Sequence, residues 1–314
     1  MSPLETRVGP SGGRLPDFVI IGATKSATTW LQRSLQEHPR VFMPDPEVHY
    51  FSREFDRGQA WYQDFFREAR PGQIIGEKSN SYLEHPQAPH RLHRALPDAR
   101  LIAQLRNPIQ RAYTDYCMLL RRGEVGRDLD RYLDPRRTPL PRFLEGGLYY
   151  TQLCRFLELF SRERLLILLH DELKTEPAAV VRKVCGHLGL EAPASIGRLS
   201  VRVKDSTTPI VPPTARRLLA PLKDVIRPLR GTAGFQWARS LLARPMVYPE
   251  LTPSLRDRLR DYYREDVAGL GRLLGRDLGA WLAPDRAESS SAAGAEPSAA
   301  ARPVRPADLH RSHP

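Results

Sequence analysis

Short apolar runs alternating with longer amphipathic stretches constrain this chain more than any other feature. Phe18-Val-Ile-Ile21 precedes a helical pattern from Thr28 to Glu37, and Leu101–Leu105 precedes one from Ile109 to Leu120. Leu165–Leu169 precedes a third from Glu176 to Leu188, and Ile74-Ile75 is a shorter run of the same kind. Runs of this length are buried strands when a helix-length segment follows, because the helix carries the chain back to start a parallel neighbour. The expected fold is therefore α/β, a single domain with a central parallel sheet and helices on both faces. Thr252 is a plausible N-cap ahead of Pro253, and helical periodicity runs from there to Trp281.

Composition sets the boundaries. Segments 1–15 and 285–314 are rich in Ser, Ala, Gly and Pro and are expected to be disordered, leaving 16–284 as the folded domain. The formal net charge is +12, of which the two end segments together carry one unit, so the body is basic. A basic body favours an anionic partner: nucleic acid, an acidic membrane surface or a nucleotide. No run of about 18 apolar residues occurs, and Met1 to Pro16 has no apolar core of a signal peptide, so the chain is expected to stay in a cytoplasmic compartment and off membranes. The three cysteines, Cys117, Cys154 and Cys185, are far apart and form no metal-binding spacing. Buried free thiols in a reducing environment are the expectation. The proline-rich basic stretch from Val201 to Leu251 is either a lid over an acceptor or a meandering surface segment.

Parallel sheets bind ligands beyond the carboxyl ends of their strands, which directs attention to the loops after Ile21, Ile75 and Leu105. The first belongs to FVIIGATKSATTWLQRSL, in which a strand enters a small-residue turn and then a helix. Such a turn offers backbone N–H groups and the positive end of a helix dipole to an anion. Lys25 adds a full charge, and the hydroxyls of Ser26, Thr28 and Thr29 add donors. The spacing is not that of a Walker A loop, since Lys25 follows Gly22-Ala23-Thr24 without the preceding glycine. After the second strand, Arg106 stands at the strand end and Thr114 follows eight positions on, about two turns along if Pro108 begins the helix. An arginine fork suits a terminal phosphate.

These loops resemble the nucleotide-binding elements of sulfotransferases that use 3′-phosphoadenosine 5′-phosphosulfate, in particular the branch containing the glycosaminoglycan O- and N-sulfotransferases and bacterial homologues. Lys25-Ser26-Ala27-Thr28 is similar to the loop for the 5′-phosphosulfate, with Ala27 where the family often has glycine. The resemblance implies a P-loop-like site in which Lys25, Ser26, Ala27, Thr28, Thr29 and Trp30 hold that end, and Arg106 and Thr114 hold the 3′-phosphate. Pro46-Glu47-Val48-His49-Tyr50-Phe51 resembles a Glu-Val-His-Phe-Phe element, which makes Glu47 the expected base and His49 a supporting or alternative one. Gly76-Glu77-Lys78-Ser79-Asn80 resembles a Gly-Glu-Lys-Thr/Ser-Pro loop, which would turn Lys78 toward the transferring sulfuryl group. Asn80 stands where that loop has proline.

The resemblance covers most of Asp17 to Gly189 and implies sulfuryl transfer to a hydroxyl or amine of a sugar or small-molecule acceptor. The product would be adenosine 3′,5′-bisphosphate, with no metal and no nucleic acid required. No Lys-Gly-Arg loop of the kind that often completes such a site is evident, and Arg202 and Lys204 are its candidate substitutes. The rival expectations are a nucleotide-dependent phosphotransferase and a basic nucleic-acid-binding protein.

Overall fold

The computed structural model describes residues 13–192 and 246–284. Five parallel strands form one sheet: β1 (Phe18–Gly22), β2 (Val41–Phe42), β3 (Ile74–Lys78), β4 (Arg100–Leu105) and β5 (Leu165–Leu169). Their spatial order is β2-β3-β1-β4-β5. The intervening helices are α1 (Thr28–Gln36), α2 (Gly58–Asp64), α3 (Ala88–Ala95), α4 (Pro108–Arg122), α5 (Leu129–Leu133), α6 (Arg142–Glu145), α7 (Tyr149–Leu157), α8 (His170–Thr175), α9 (Pro177–Leu188) and α10 (Pro253–Leu274). The strands and helices expected from the apolar pattern are present. The two-residue β2 and the short α2, α3, α5, α6, α7 and α8 are additions.

Both faces of the sheet are covered, which is why β1 and β5 are apolar along their length and β3 and β4 carry apolar runs. Phe18, Ile20 and Ile102 join Leu31, Leu35, Leu168, Val180, Val184 and Leu188 in one cluster beneath α1 and α9. Val19, Ile21, Leu101, Ala103 and Leu105 are equally buried on the opposite side. Each large aliphatic side chain sequestered in this way stabilises the fold by about 1.5 to 3 kcal/mol. Gly76 admits the Phe18 ring so closely that a Cβ there would lie 2.1 Å from it, so β3 needs glycine at this position to pair with β1.

Helix starts follow the expected chemistry. Asn107 caps α4 by accepting from the N–H groups of Ile109 and Gln110 at 3.0 and 3.1 Å, with Pro108 in the first turn. Thr252 caps α10 by accepting from Leu255 N–H at 3.3 Å. That helix stops at Leu274, where Gly275 takes a left-handed φ of 62°, rather than continuing to Trp281; a short 3-10 turn, Gly279–Trp281, follows. Asp266 of α10 accepts from the N–H groups of Tyr150 and Thr151 at 2.9 and 3.0 Å, placing a carboxylate at the start of α7. Among the described residues no helix is long and apolar enough to cross a membrane. Segments 1–12 and 285–314, Arg202, Lys204 and all of 201–251 up to residue 245 lie outside the described residues.

Candidate active site

β1 occupies the centre of the sheet, with β3 on one side and β4 on the other. Strand order reverses there, so the loops leaving the three strands border one crevice. The loop after β1 is shaped by left-handed residues: Lys25 has φ 68° and Ala27 has φ 65°. Ala27 is the N-cap of α1 and offers no side-chain cap, which leaves the first N–H groups of that helix directed out of its end. A left-handed alanine costs about 1 to 2 kcal/mol, which accounts for the preference for glycine in similar loops. The Ser26 hydroxyl is buried and lies against the buried Tyr149 hydroxyl. The uncapped N-terminus of α1 with the Lys25 charge in the same turn fits an anionic group.

The remaining loop residues divide between the crevice and its walls. The Lys25 ammonium reaches α4, where it contacts Met118 Sδ and lies 3.9 Å from Asp115 Oδ1. Asp115 is buried and also pairs with Arg142 at 3.0 Å, a role that no local motif in the sequence signals. Thr28 is buried and donates its hydroxyl to Asn80 Oδ1 at 2.7 Å. Thr29 is exposed, and its Oγ1 accepts from Lys78 Nζ at 3.2 Å. Trp30 is partly buried against the apolar cluster.

The loop after β4 comes to the same place. Arg106 Nη1 lies 3.4 Å from the Lys25 carbonyl oxygen, and Arg106 Nε lies 3.4 Å from Gln110 Oε1. Burial pulls its guanidinium below the ordinary arginine value, against the influence of Tyr149 and Asp171. His170, at the end of β5, is held down to about 4 by burial and by Arg106, so it stays neutral near pH 7 and adds no competing charge. Thr114 lies on α4 and donates its hydroxyl to the Gln110 carbonyl at 2.7 Å. Arg106 thus neighbours the Lys25 turn at the carboxyl ends of the central strands, while Thr114 bonds only within α4 among the described residues.

Opposite Thr29 stands a cluster of Glu47, Lys78, His49 and Asn80. Glu47 lies in a segment without regular structure, and Lys78 ends β3. Lys78 Nζ donates to Glu47 Oε1 at 2.9 Å; the lysine is 3% exposed and the glutamate 28%. Asn80 gives Glu47 two more bonds, from its backbone N–H to Oε2 at 3.2 Å and from Nδ2 to Oε1 at 3.1 Å. His49 Nε2 is 3.5 Å from Glu47 Oε2, while its Nδ1 is 2.7 Å from Ser81 Oγ. Burial pushes His49 below the usual histidine value, more strongly than Glu47 draws it up. The imidazole is therefore neutral near pH 7 and able to accept a proton.

His49 has φ 55°, and what holds it there is a buried carboxylate that sequence inspection left without a role. Glu77 is fully buried and accepts from Ser79 Oγ at 2.7 Å, from the Tyr82 hydroxyl at 2.5 Å and from the Tyr62 hydroxyl. Ser79 Oγ in turn accepts the His49 N–H at 2.8 Å. Burial raises the Glu77 carboxyl above its ordinary value, and its three hydrogen bonds oppose that shift. Among the described residues no three His, Cys, Asp or Glu side chains are grouped to hold a metal ion.

Residues 45–194 match the model of the sulfotransferase family, a range that includes Glu47, His49, Lys78, Arg106 and Thr114. Residues 45–194 are thus a sulfotransferase-family segment. Among curated relatives of the chain, heparan sulfate glucosamine 3-O-sulfotransferase 6 of Mus musculus is 35% identical over 188 residues, 58% of this chain and 55% of that protein. Bifunctional heparan sulfate N-deacetylase/N-sulfotransferase 1 of Caenorhabditis elegans is 30% identical over 191 residues, 56% of this chain and 22% of that protein. The chain therefore spans about half or less of the length of these relatives. A crystal structure of a sulfotransferase from Alicyclobacillus acidocaldarius superposes with a TM-score of 0.63 at 27% identity, covering 85% of this chain and 98% of that one. The sulfotransferase fold expected from the sequence is confirmed.

Proposed function

We propose that this protein is a sulfotransferase that moves a sulfuryl group from 3′-phosphoadenosine 5′-phosphosulfate to a hydroxyl, or an amine, of a glycan acceptor. The observation that carries this is the bond from Lys78 to both Glu47 and Thr29, which sets a base, a cation and the phosphate loop against one another. The donor supplies a sulfuryl group on a phosphate leaving group. Lys25, the Ser26 hydroxyl and the N-terminus of α1 would hold its 5′ end, with Thr28, Thr29 and Trp30 lining the same turn. Arg106 and Thr114 would hold the 3′-phosphate.

Charge builds on the leaving oxygen during such a transfer, so fixed cations lower the barrier. Lys25 and Lys78 supply them. Glu47, within hydrogen-bond reach of Lys78, takes the acceptor's proton, and neutral His49 stands beside it as a second acceptor. The glycan class follows from relatives whose names specify heparan sulfate. The family match over residues 45–194 argues against the phosphotransferase and nucleic-acid-binding alternatives. The three unbridged cysteines fit the cytoplasmic location that we also propose.

Thermal stabilisation separates the possibilities for the nucleotide. Adenosine 3′,5′-bisphosphate should raise the melting temperature well above the effect of ATP, ADP or AMP at equal concentration. Equal shifts from all four would overturn the donor assignment. Transfer of radiolabelled sulfate to heparan sulfate then tests the acceptor class, and its absence alongside transfer to a simple phenol would discard the glycan.

A further inference from the structure

Asn80 occupies a position where similar loops carry proline, and it makes contacts that proline could not. Glu47 lies between Met43 and Tyr50, where no helix or strand ladder fixes the backbone. Its carboxylate has four polar contacts: Lys78 Nζ, His49 Nε2, and both the backbone N–H and the side-chain amide of Asn80. Half of what orients it thus comes from one residue. The amide's own orientation follows from chemistry, because a carboxylate only accepts. Nδ2 must face Glu47, and Oδ1 is left to accept the Thr28 hydroxyl at 2.7 Å.

On the functional reading above, we propose that Asn80 is a positioning residue that ties Glu47 to the donor loop. Through it a side chain on the first turn of α1 and the base in the loop after β2 are held by one rigid amide group. Lys78 cannot do this alone, since a single ammonium leaves the carboxylate free to pivot about the Nζ–Oε1 axis. Two donors from Asn80, one to each oxygen, remove that freedom. A base displaced by about 1 Å loses on the order of 100-fold in rate, so the tether bears on turnover rather than on donor affinity.

Three measurements test this. Asn80→Ala should lower kcat with heparan sulfate roughly 10- to 100-fold, the equivalent of one lost charged hydrogen bond, while affinity for adenosine 3′,5′-bisphosphate changes less than about twofold. Asn80→Asp keeps the size of the residue but sets a second carboxylate against Glu47, and should fall further. In a Glu47→Ala background the same Asn80→Ala change should cost less than about twofold, because no carboxylate remains to be aligned. An equal loss in both backgrounds would mark Asn80 as merely structural and overturn the proposal. So would wild-type turnover in Asn80→Ala, or a crystal structure of that variant with Glu47 unmoved. The functional reading fails separately: a wild-type protein indifferent to adenosine 3′,5′-bisphosphate removes the donor site and this inference with it.

Discussion

Around Glu47 the contacts are short and reciprocal, with Lys78 at 2.9 Å and Asn80 at 3.1 and 3.2 Å, whereas around the Arg106 guanidinium they are long. The Arg106 guanidinium meets Gln110 and the Lys25 carbonyl oxygen at 3.4 Å each, while the Lys25 ammonium rests on Met118 Sδ with Asp115 3.9 Å away. One half of the site is organised by its own side chains. The other half presents a guanidinium held only by long bonds. The base must hold one orientation through the reaction, and fixed dipoles do that at no cost when charge moves. The phosphate grip must instead accept and release a ligand, for which tight internal pairs would compete.

Exchanging Glu47 for Gln attacks the organised half without changing its shape. Turnover should fall roughly 100- to 10,000-fold, the contribution of a general base, while calorimetry shows unchanged affinity for adenosine 3′,5′-bisphosphate. Retention of wild-type turnover would hand the proton to His49. Lys25→Ala attacks the other half and should lower turnover about 100- to 1000-fold in a steady-state assay, since the ammonium is needed most as charge develops.

Arg106→Ala should weaken adenosine 3′,5′-bisphosphate binding by about 1.5 to 3 kcal/mol with a smaller effect at saturating donor. Full affinity in a titration of that variant would remove Arg106 from the grip and break the comparison. The smallest effect belongs to Ala27→Gly. Relief of a left-handed alanine, less the added freedom of glycine in the unfolded chain, should stabilise the protein by about 0.5 to 1 kcal/mol in urea denaturation. A destabilised variant would mean that the alanine methyl contributes packing that outweighs its strain.

Much of this architecture could be read from local pattern. Strands β1 and β5 are continuous apolar runs, and β3 and β4 carry shorter ones, because both faces of the sheet are covered, and caps at Asn107 and Thr252 announce their helices. β2 escaped because two residues have no period, and the short helices between Leu119 and Tyr150 are held by tertiary packing rather than by their own propensity. Glu77 and Asp115 escaped for another reason. A buried carboxylate looks like any other in a sequence, and its partners Tyr62 and Arg142 are 15 and 27 residues away.

The sequence alone determined the kinds of group available and the loops that carry them: a lysine in a small-residue turn, an arginine at a strand end, a glutamate two residues before a histidine. It could do so because strand periodicity, turn chemistry and helix caps act over a few residues. The tertiary structure alone decided which of those loops meet. Placing β3 and β4 on either side of β1 brings Lys78 to Thr29 across 49 residues and Arg106 to Lys25 across 81. Strand neighbours are chosen by crossover connections and by the packing of helices on both faces, which are properties of the whole domain and leave no mark on any short stretch of chain.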